Sequence, residues 1–478
     1  MANIQQKKSI KEISPIDVYK LLPKTNCGEC GEANCMAFAT KLVNGEYTIP
    51  DCPPLASEKY SRLLHDLSAL LAPPVKVVTI GTGEHAMTIG GKHVLYRHEF
   101  TYHNPTPVAI DLTDTMTQEE IIQRIEAIEG FSYQYIGREI RLDGIAIRST
   151  SGDPEIFRGA VRTTAAATSY PLILCTLDPV VMEAGLLEVE GRRPLIYAAN
   201  EENWREMADL ALRFNAPLVA SAPGDPSLLR TLTKTLTACG LMDLVLDPGT
   251  FPDGGFARTI YSFTMLRKAA CTSHDELAGF PLLGTPIAAW AGDELSREAV
   301  RWKETYMAAG LISRYADLLI MHSMEGWVLL PQLIWRFNIY TDPRKPVSVD
   351  PGVRTFGSPD IQSPLLITTN YALTFFTVEA DIKSAHIDCH LIVVDTGGIS
   401  VESAVAGRYL TSDSMAEALK EYEADSLVDH HTLIIPGLAA RLSGEMEEAS
   451  GWRILVGPKD SSGLKRYIEE YWPPKDDE

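Results

Sequence analysis

The chain has 478 residues, of which 45% are hydrophobic, 22% charged and 8% aromatic, a mixture that excludes disordered, collagen-like and low-complexity architectures. Forty-three Lys and Arg stand against 63 Asp and Glu, a net charge of −20, and no basic run offsets it, so neither nucleic acid nor membrane is an expected partner. The amino terminus is polar with no apolar h-region after it, and no stretch nears the ~20 apolar residues that cross a bilayer, which predicts a cytoplasmic protein.

At ~150 residues per domain the length suggests about three domains. Ser14-Pro15-Ile16-Asp17 opens a helix with a hydroxyl cap, a proline at the first position and a carboxylate at the positive end. Pro23 ends it before Cys27, Cys30, Cys35 and Cys52, spaced C-x₂-C-x₄-C-x₁₆-C and followed by Pro53. Four thiolates in 26 residues, with no histidine between them, suit an iron–sulfur cluster or structural zinc. Zinc modules use two short knuckles; here three cysteines crowd together and the fourth arrives from a distance before a proline. That pattern predicts a [4Fe–4S] cluster, with Gly28 and Gly31 leaving backbone N–H groups free to approach the sulfurs. A helix at 34–43 and an amphipathic connector at 55–71 follow, so the cluster domain is placed at 1–60 and the connector leads the next domain, 61–345.

In that domain short apolar runs at 141–147, 171–175, 194–197, 217–219, 243–246, 286–289 and 317–320 alternate with helices such as 203–214 and 225–238. The alternation predicts a central (β/α)8 TIM-like barrel, with an antiparallel ribbon somewhere in 87–114. Barrel chemistry sits at strand carboxyl ends, where Asp143, Asp178, Asn200, Asp225, Asp247, Asp293, His322 and Glu325 are the candidates. Asp and Asn there also cap the next helix, which is the commoner role. His322 and Glu325 are readable either as an acid/base pair or as a helix-opening polar cluster. Trp204, Trp290, Trp327 and Trp335 read as core or subunit-interface residues, and Cys175, Cys239, Cys271 and Cys389 as small buried hydrophobes.

Residues 341–360, rich in Pro and Gly, read as a linker. The final domain, 360–478, is a second βα series with strands at 364–368, 391–395, 432–435 and 454–456, which predicts a small doubly wound Rossmann/flavodoxin-like sheet. Its strand-end loops are the candidate cofactor-binding residues: Thr368, Thr369 and Asn370; Thr396, Gly397, Gly398, Ile399 and Ser400; Pro436, Gly437, Leu438 and Ala439; and Gly457 before Pro458. Glycines let backbone approach a ligand, and helix N-termini aim N–H groups at amides or phosphate. Thr374, near the start of the first helix, is expected to face the cofactor. Such loops serve many cofactors, so the residues alone leave its identity open.

Six stretches resemble one family. Asn26-Cys-Gly-Glu-Cys-Gly-Glu-Ala-Asn-Cys-Met-Ala-Phe-Ala39 with Asp51-Cys-Pro-Pro-Leu55, Val78-Thr-Ile-Gly-Thr-Gly-Glu84 with Leu142-Asp-Gly-Ile-Ala-Ile-Arg148, and Asp395-Thr-Gly-Gly-Ile-Ser400 with Ile435-Pro-Gly-Leu-Ala-Ala-Arg-Leu-Ser-Gly444 are similar to the large subunit of the corrinoid iron–sulfur protein, the gamma subunit of the acetyl-CoA decarbonylase/synthase complex. The resemblance implies a methyl carrier with a [4Fe–4S] cluster and a corrinoid bound base-off, without a protein axial ligand on cobalt. Cobalt(I) would take a methyl group from methyl-tetrahydropterin or methyl-tetrahydrofolate and pass it to the nickel cluster of acetyl-CoA synthase. The [4Fe–4S] cluster would reductively reactivate Co(II), leaving no protein side chain as catalyst. It further implies a heterodimer with a small, delta-type subunit, contact with acetyl-CoA synthase/CO dehydrogenase subunits, and a methyl-tetrahydropterin or its methyltransferase as donor. Asp388-Cys389-His390 imitates the start of the Asp-x-His-x-x-Gly corrinoid motif, but Val393 stands where glycine is required, so His390 is not expected to bind cobalt. For the barrel, scaffolding and docking are expected ahead of pterin binding. The competing readings are an iron–sulfur electron-transfer or scaffold subunit without corrinoid, and a barrel hydrolase.

Overall fold

The computed structural model describes residues 10–292, 296–340 and 346–473. They form two compact units: Met1–Tyr133 with Ile140–Asp342, and Gln134–Glu139 with Pro343–Glu478.

The first unit begins with the cysteine-rich segment. Ser14 accepts the Asp17 N–H at 3.2 Å and Asp17 accepts the Ser14 N–H in return, closing a capping box on helix Pro15–Lys20. Asn34 caps helix Cys35–Asn44 by accepting the N–H groups of Met36 and Ala37. Val18, Leu22, Phe38, Leu42, Leu55 and Leu67 form the core of this segment, and Val94 and Tyr102 from the chain ahead of the barrel complete it. Gly45 ends the second helix at φ +75°, and a Cβ there would stand 2.9 Å from the Phe100 ring and 3.3 Å from His103 Nε2.

His93 and His103 flank Phe100, with ring centroids 5.2 and 5.8 Å from it. Burial favours their neutral forms, lowering His103 and, with the field of His103, pushing His93 down to about 4. Because the folded-state values lie below the unfolded one, this contribution is complete above the ordinary histidine range and is lost as pH falls through it. Unfolding at pH 5 is expected to be easier than at pH 7.5, with His93 supplying about 2 kcal/mol over that interval. Urea unfolding of His93→Phe should show a shallower pH dependence; an unchanged slope would refute the assignment.

The barrel strands follow. An antiparallel ribbon of β1 (Val77–Ile80) and β2 (Met87–Gly90) precedes β3 (Val108–Thr113), the first barrel strand. After hairpin β4 (Ser132–Tyr135) and β5 (Arg138–Arg141) come β6 (Gly144–Arg148), β7 (Leu172–Cys175), β8 (Leu195–Ala199), β9 (Leu218–Ser221), β10 (Leu244–Asp247), β11 (Leu283–Gly284) and β12 (Leu318–Met321). The parallel order β10-β9-β8-β7-β6-β3-β12-β11 is joined into a ring by the Leu246–Leu282 bridge. Ala109, Ala146, Ile173, Val219, Val245 and Ile320 fill the interior together with Val78, Ile80, Met87 and Ile89 of the ribbon. The ribbon is tied where strands begin: Gly81 donates to Arg193 O and Lys76 to Gly279 O, both at 2.9 Å. It therefore plugs the amino end of the barrel. The ribbon expected within 87–114 lies at 77–90 instead, and the strand expected at 286–289 is a 3-10 turn, Pro286–Ala291, after the two-residue β11. Pro286 has no N–H for a strand ladder, which is why the run turns.

In the second unit β13 (Gly352–Phe356), β14 (Leu365–Thr369), β15 (Cys389–Val394), β16 (Thr432–Ile435) and β17 (Arg453–Val456) pair in the order β13-β15-β14-β16-β17. Only β13 runs antiparallel; the other four have the flavodoxin-like 2-1-3-4 order. Alternate residues serve opposite faces: Leu365, Ile367, Ile392 and Leu433 meet Ala404, Met415 and Leu419, whereas Leu366, Leu391 and Ile434 meet Phe375, Ile382 and Leu464. Part of the expected linker is thus β13, an edge strand bracketed by Pro351 and Gly357 whose residues are mostly only partly buried.

Candidate thiol and cofactor sites

The four clustered cysteines are brought together. Cys27 is exposed, Cys30 half-buried, and Cys35 and Cys52 buried, and none forms a disulfide. Burial raises the Cys52 thiol, the Leu55 N–H hydrogen bond opposes that rise, and the fields of Cys30, Cys35 and Cys27 add to it, which places all four within one electrostatic neighbourhood. Asn26, at φ +50°, accepts the Cys35 N–H at 2.9 Å and so ties the loop to the helix start. Gly28 and Gly31 sit at φ +76° and +82°; nothing lies within 4 Å of a Cβ on Gly28, and only the Tyr47 hydroxyl, at 3.9 Å, near one on Gly31. Tyr47 stacks on Phe38 and donates to Glu32, which also pairs with Lys41 at 2.8 Å, bracing the loop from one side. Among the described residues no three Cys, His, Asp or Glu side chains converge closely enough to share a single metal ion.

In the second unit a cavity of about 420 Å³ opens at the carboxyl ends of β14 and β16, the point where strand order reverses. Thr368, Thr374, Ser400, Pro436, Leu438 and Gly457 line it, as expected of a strand-edge site. Thr369, Asn370, Thr396, Gly397, Gly398, Ile399, Gly437 and Ala439 do not reach its wall. Asn370 is instead the organiser of the loop after β15. Its Oδ1 accepts the Thr396 N–H (3.0 Å), the Thr396 hydroxyl (3.1 Å) and the Gly398 N–H (3.0 Å), while its Nδ2 donates to Asp395 at 2.9 Å. Gly397 donates to the same Asp395 oxygen, and the Thr396 hydroxyl reaches Ile399 O. Gly437 allows the loops after β16 and β17 to touch: a Cβ would lie 2.7 Å from both Gly457 O and Lys459 N. Thr369 and Ala439 are fully buried. The hydroxyls of Thr368 and Thr369 are both buried with no hydrogen-bond partner. Lys459, Asp460 and Glu402 also line the wall and were not singled out from the sequence, since nothing in their local pattern separates them from solvated surface charges.

His390 lies within β15, its Nδ1 3.3 Å from the Thr355 hydroxyl of β13 and away from the cavity wall. In the barrel, Asp178 and Asp225 are helix caps, Asn200 accepts the N–H groups of Glu202 and Asn203, and Asp143 holds Val108 N and Arg336. Asp293 lies outside the described residues. Asp247 is buried, accepts from Tyr197 (2.9 Å), Ser221 (3.1 Å) and Gly249 (2.9 Å), and is raised by burial. His322 meets Asp111 at 2.6 Å and Glu325 meets Arg301 at 2.5 Å, so the two residues are not each other's partners. Trp204 is half-buried, and Trp327 and Trp335 are 43% and 41% exposed.

A four-thiol module, a parallel barrel and a flavodoxin-like unit with a cavity at its switch point define an α/β protein with a cysteine-rich segment at one end of its chain and a cavity-bearing sheet at the other. A family model described as "CO dehydrogenase/acetyl-CoA synthase delta subunit" matches residues 77–468, and one described as "Putative Fe-S cluster" matches 22–54. The chain is 47% identical to "Acetyl-CoA decarbonylase/synthase complex subunit gamma 2" of Methanosarcina thermophila, over 97% of this chain and 99% of that one. It is 45% identical to the gamma subunit of Methanosarcina acetivorans over the same shares, and 42% identical to that of Archaeoglobus fulgidus over 98% and 100%. The chain belongs to the acetyl-CoA decarbonylase/synthase gamma subunit family. Among solved structures, a Xanthomonas albilineans dihydropteroate synthase with 4-aminobenzoic acid is similar at 18% identity and a TM-score of 0.39, covering 56% of this chain and 99% of that one. No helix among the described residues is long and apolar enough to cross a membrane.

Proposed function

We propose that this chain is the corrinoid iron–sulfur methyl carrier of an acetyl-CoA decarbonylase/synthase complex, its methyltransferase component. Cys27, Cys30, Cys35 and Cys52 would hold a [4Fe–4S] cluster, one thiolate to each iron, so the set need not converge on one point. The open space beside Gly28 and Gly31 fits that cluster. The corrinoid would lie at the carboxyl edge of the second unit, with Thr368, Thr374, Ser400, Pro436, Leu438 and Gly457 against it and the loop built on Asn370 bordering it. When bound, the corrinoid supplies a cobalt that takes up and releases a methyl group, and the cluster supplies the electron that restores it after oxidation.

The single observation that carries the reading is the cavity at the strand-order switch point. Among the described residues no histidine lines that cavity. A corrinoid exceeds this volume and would project beyond the cavity, which suits a delta-type partner subunit covering the exposed face. The donor would be a methyl-tetrahydropterin or methyl-tetrahydrofolate and the acceptor the acetyl-CoA synthase subunit. Anaerobically purified protein is expected to contain cobalt and iron at about one to four, as one corrinoid and one four-iron cluster require, with a corrinoid absorption spectrum. Iron without cobalt would instead establish an electron-transfer or scaffold subunit.

A further inference from the structure

The stretch that carries the four clustered cysteines has few charges of its own. Between Cys27 and Cys52 the carboxylates are Glu29, Glu32, Glu46 and Asp51, and Lys41 is the sole Lys or Arg. Glu29, Glu46 and Asp51 are exposed, where solvent and salt screen them, whereas the Glu32 side chain is 16% exposed. Its Oε1 accepts from two donors of this stretch, Lys41 Nζ at 2.8 Å and the Tyr47 hydroxyl at 3.1 Å. Lys41 Nζ also lies 5.2 Å from the centre of the Tyr47 ring, and that ring stacks on buried Phe38. The three polar side chains therefore form one unit anchored in the core. The unit borders the thiol loop: the Tyr47 hydroxyl stands 3.9 Å from the place a Cβ would take on Gly31, the residue after Cys30, and feels the field of Cys30 itself.

One-electron reduction of a four-thiolate [4Fe–4S] centre adds a negative charge to a group that is already negative, so its potential follows nearby charge and hydrogen bonds to sulfur. A free ammonium in this stretch, or a phenol turned toward a sulfur, would stabilise the added charge and raise the potential. Both are instead committed to one carboxylate oxygen. We propose that Glu32 is a positioning residue that keeps the cluster a strong reductant, cancelling the charge of Lys41 and keeping the Tyr47 hydroxyl from donating to sulfur. This role rests on the proposed four-iron cluster and deepens that reading, since a low potential is what reductive recovery of an oxidised cobalt requires.

The test is a potentiometric titration of the full chain, purified anaerobically, with the reduced cluster followed by electron paramagnetic resonance and iron counted in every sample. In Glu32→Gln the amide oxygen still accepts while the negative charge is gone, so the midpoint should rise. In Lys41→Met the carboxylate is left uncompensated, so the midpoint should fall. Each shift is expected to be at least about threefold in the reduction equilibrium, or about 30 mV at 59 mV per tenfold for one electron. The double variant Glu32→Gln/Lys41→Met should return to within that margin of the wild type. Both single variants break the same ion pair, so a merely structural role moves the two midpoints in one direction or leaves them in place, and either result overturns the proposal. If one single variant loses its iron, the sign of the shift in the other decides; loss from both marks the pair as scaffold and overturns the proposal. A wild-type chain without a four-iron signal overturns the cluster reading itself, whereas a normal wild-type signal with shifts of one sign overturns the role of Glu32 alone.

Discussion

Cys30→Ala protein loaded in advance with a methyl group is expected to deliver that group once at the wild-type rate, and then to fail to recover after oxidation. Cys30 is half-buried and packs at the edge of a core formed by Val18, Phe38, Leu42 and Leu55. An alanine there removes a thiolate while leaving the segment folded, so in the proposed function what is lost is electron supply and not the second unit, which has its own two cores. Rapid-mixing single-turnover transfer, followed by reductive recovery monitored in the visible spectrum, separates the two. Loss of single-turnover transfer as well would show that the four cysteines serve every cycle.

Asn370→Ala is expected to damage the second unit more than any substitution at the cavity wall. The change removes the acceptor for three donors, two of them on Thr396, which is 2% exposed, and the donor to Asp395. Buried donors left without a partner cost about 1–3 kcal/mol each, and relaxation of the loop limits the total to roughly 3–5 kcal/mol. Cobalt content after purification should fall in parallel, since the loop from Asp395 to Ser400 would no longer be held beside the cavity. An unchanged urea midpoint with full cobalt would refute both the structural and the binding parts of this expectation.

That prediction also marks the limit of what could be read from residues in a row. Asn370 was singled out because it follows a strand, and position alone cannot tell a side chain that meets a ligand from one that builds the loop which does. The cysteine spacing was legible because four thiols in one short segment constrain each other locally. The βα alternation was legible because strands buried on both faces are continuous apolar runs. Asp111 was not, because what defines it is a partner far along the chain: it sits in an otherwise apolar strand, and His322 is 211 residues away. A lone carboxylate inside Val108-Ala-Ile-Asp-Leu-Thr113 was the one local signal available, since a buried charge must find a partner. β13 escaped for a different reason, its ladder being supplied wholly by β15.

The ribbon packed into the amino end closes a barrel that its own side chains already fill. Any molecule that binds this domain through its barrel must therefore do so at the opposite rim, and crowding of that rim by a neighbouring subunit would throttle arrival and departure together.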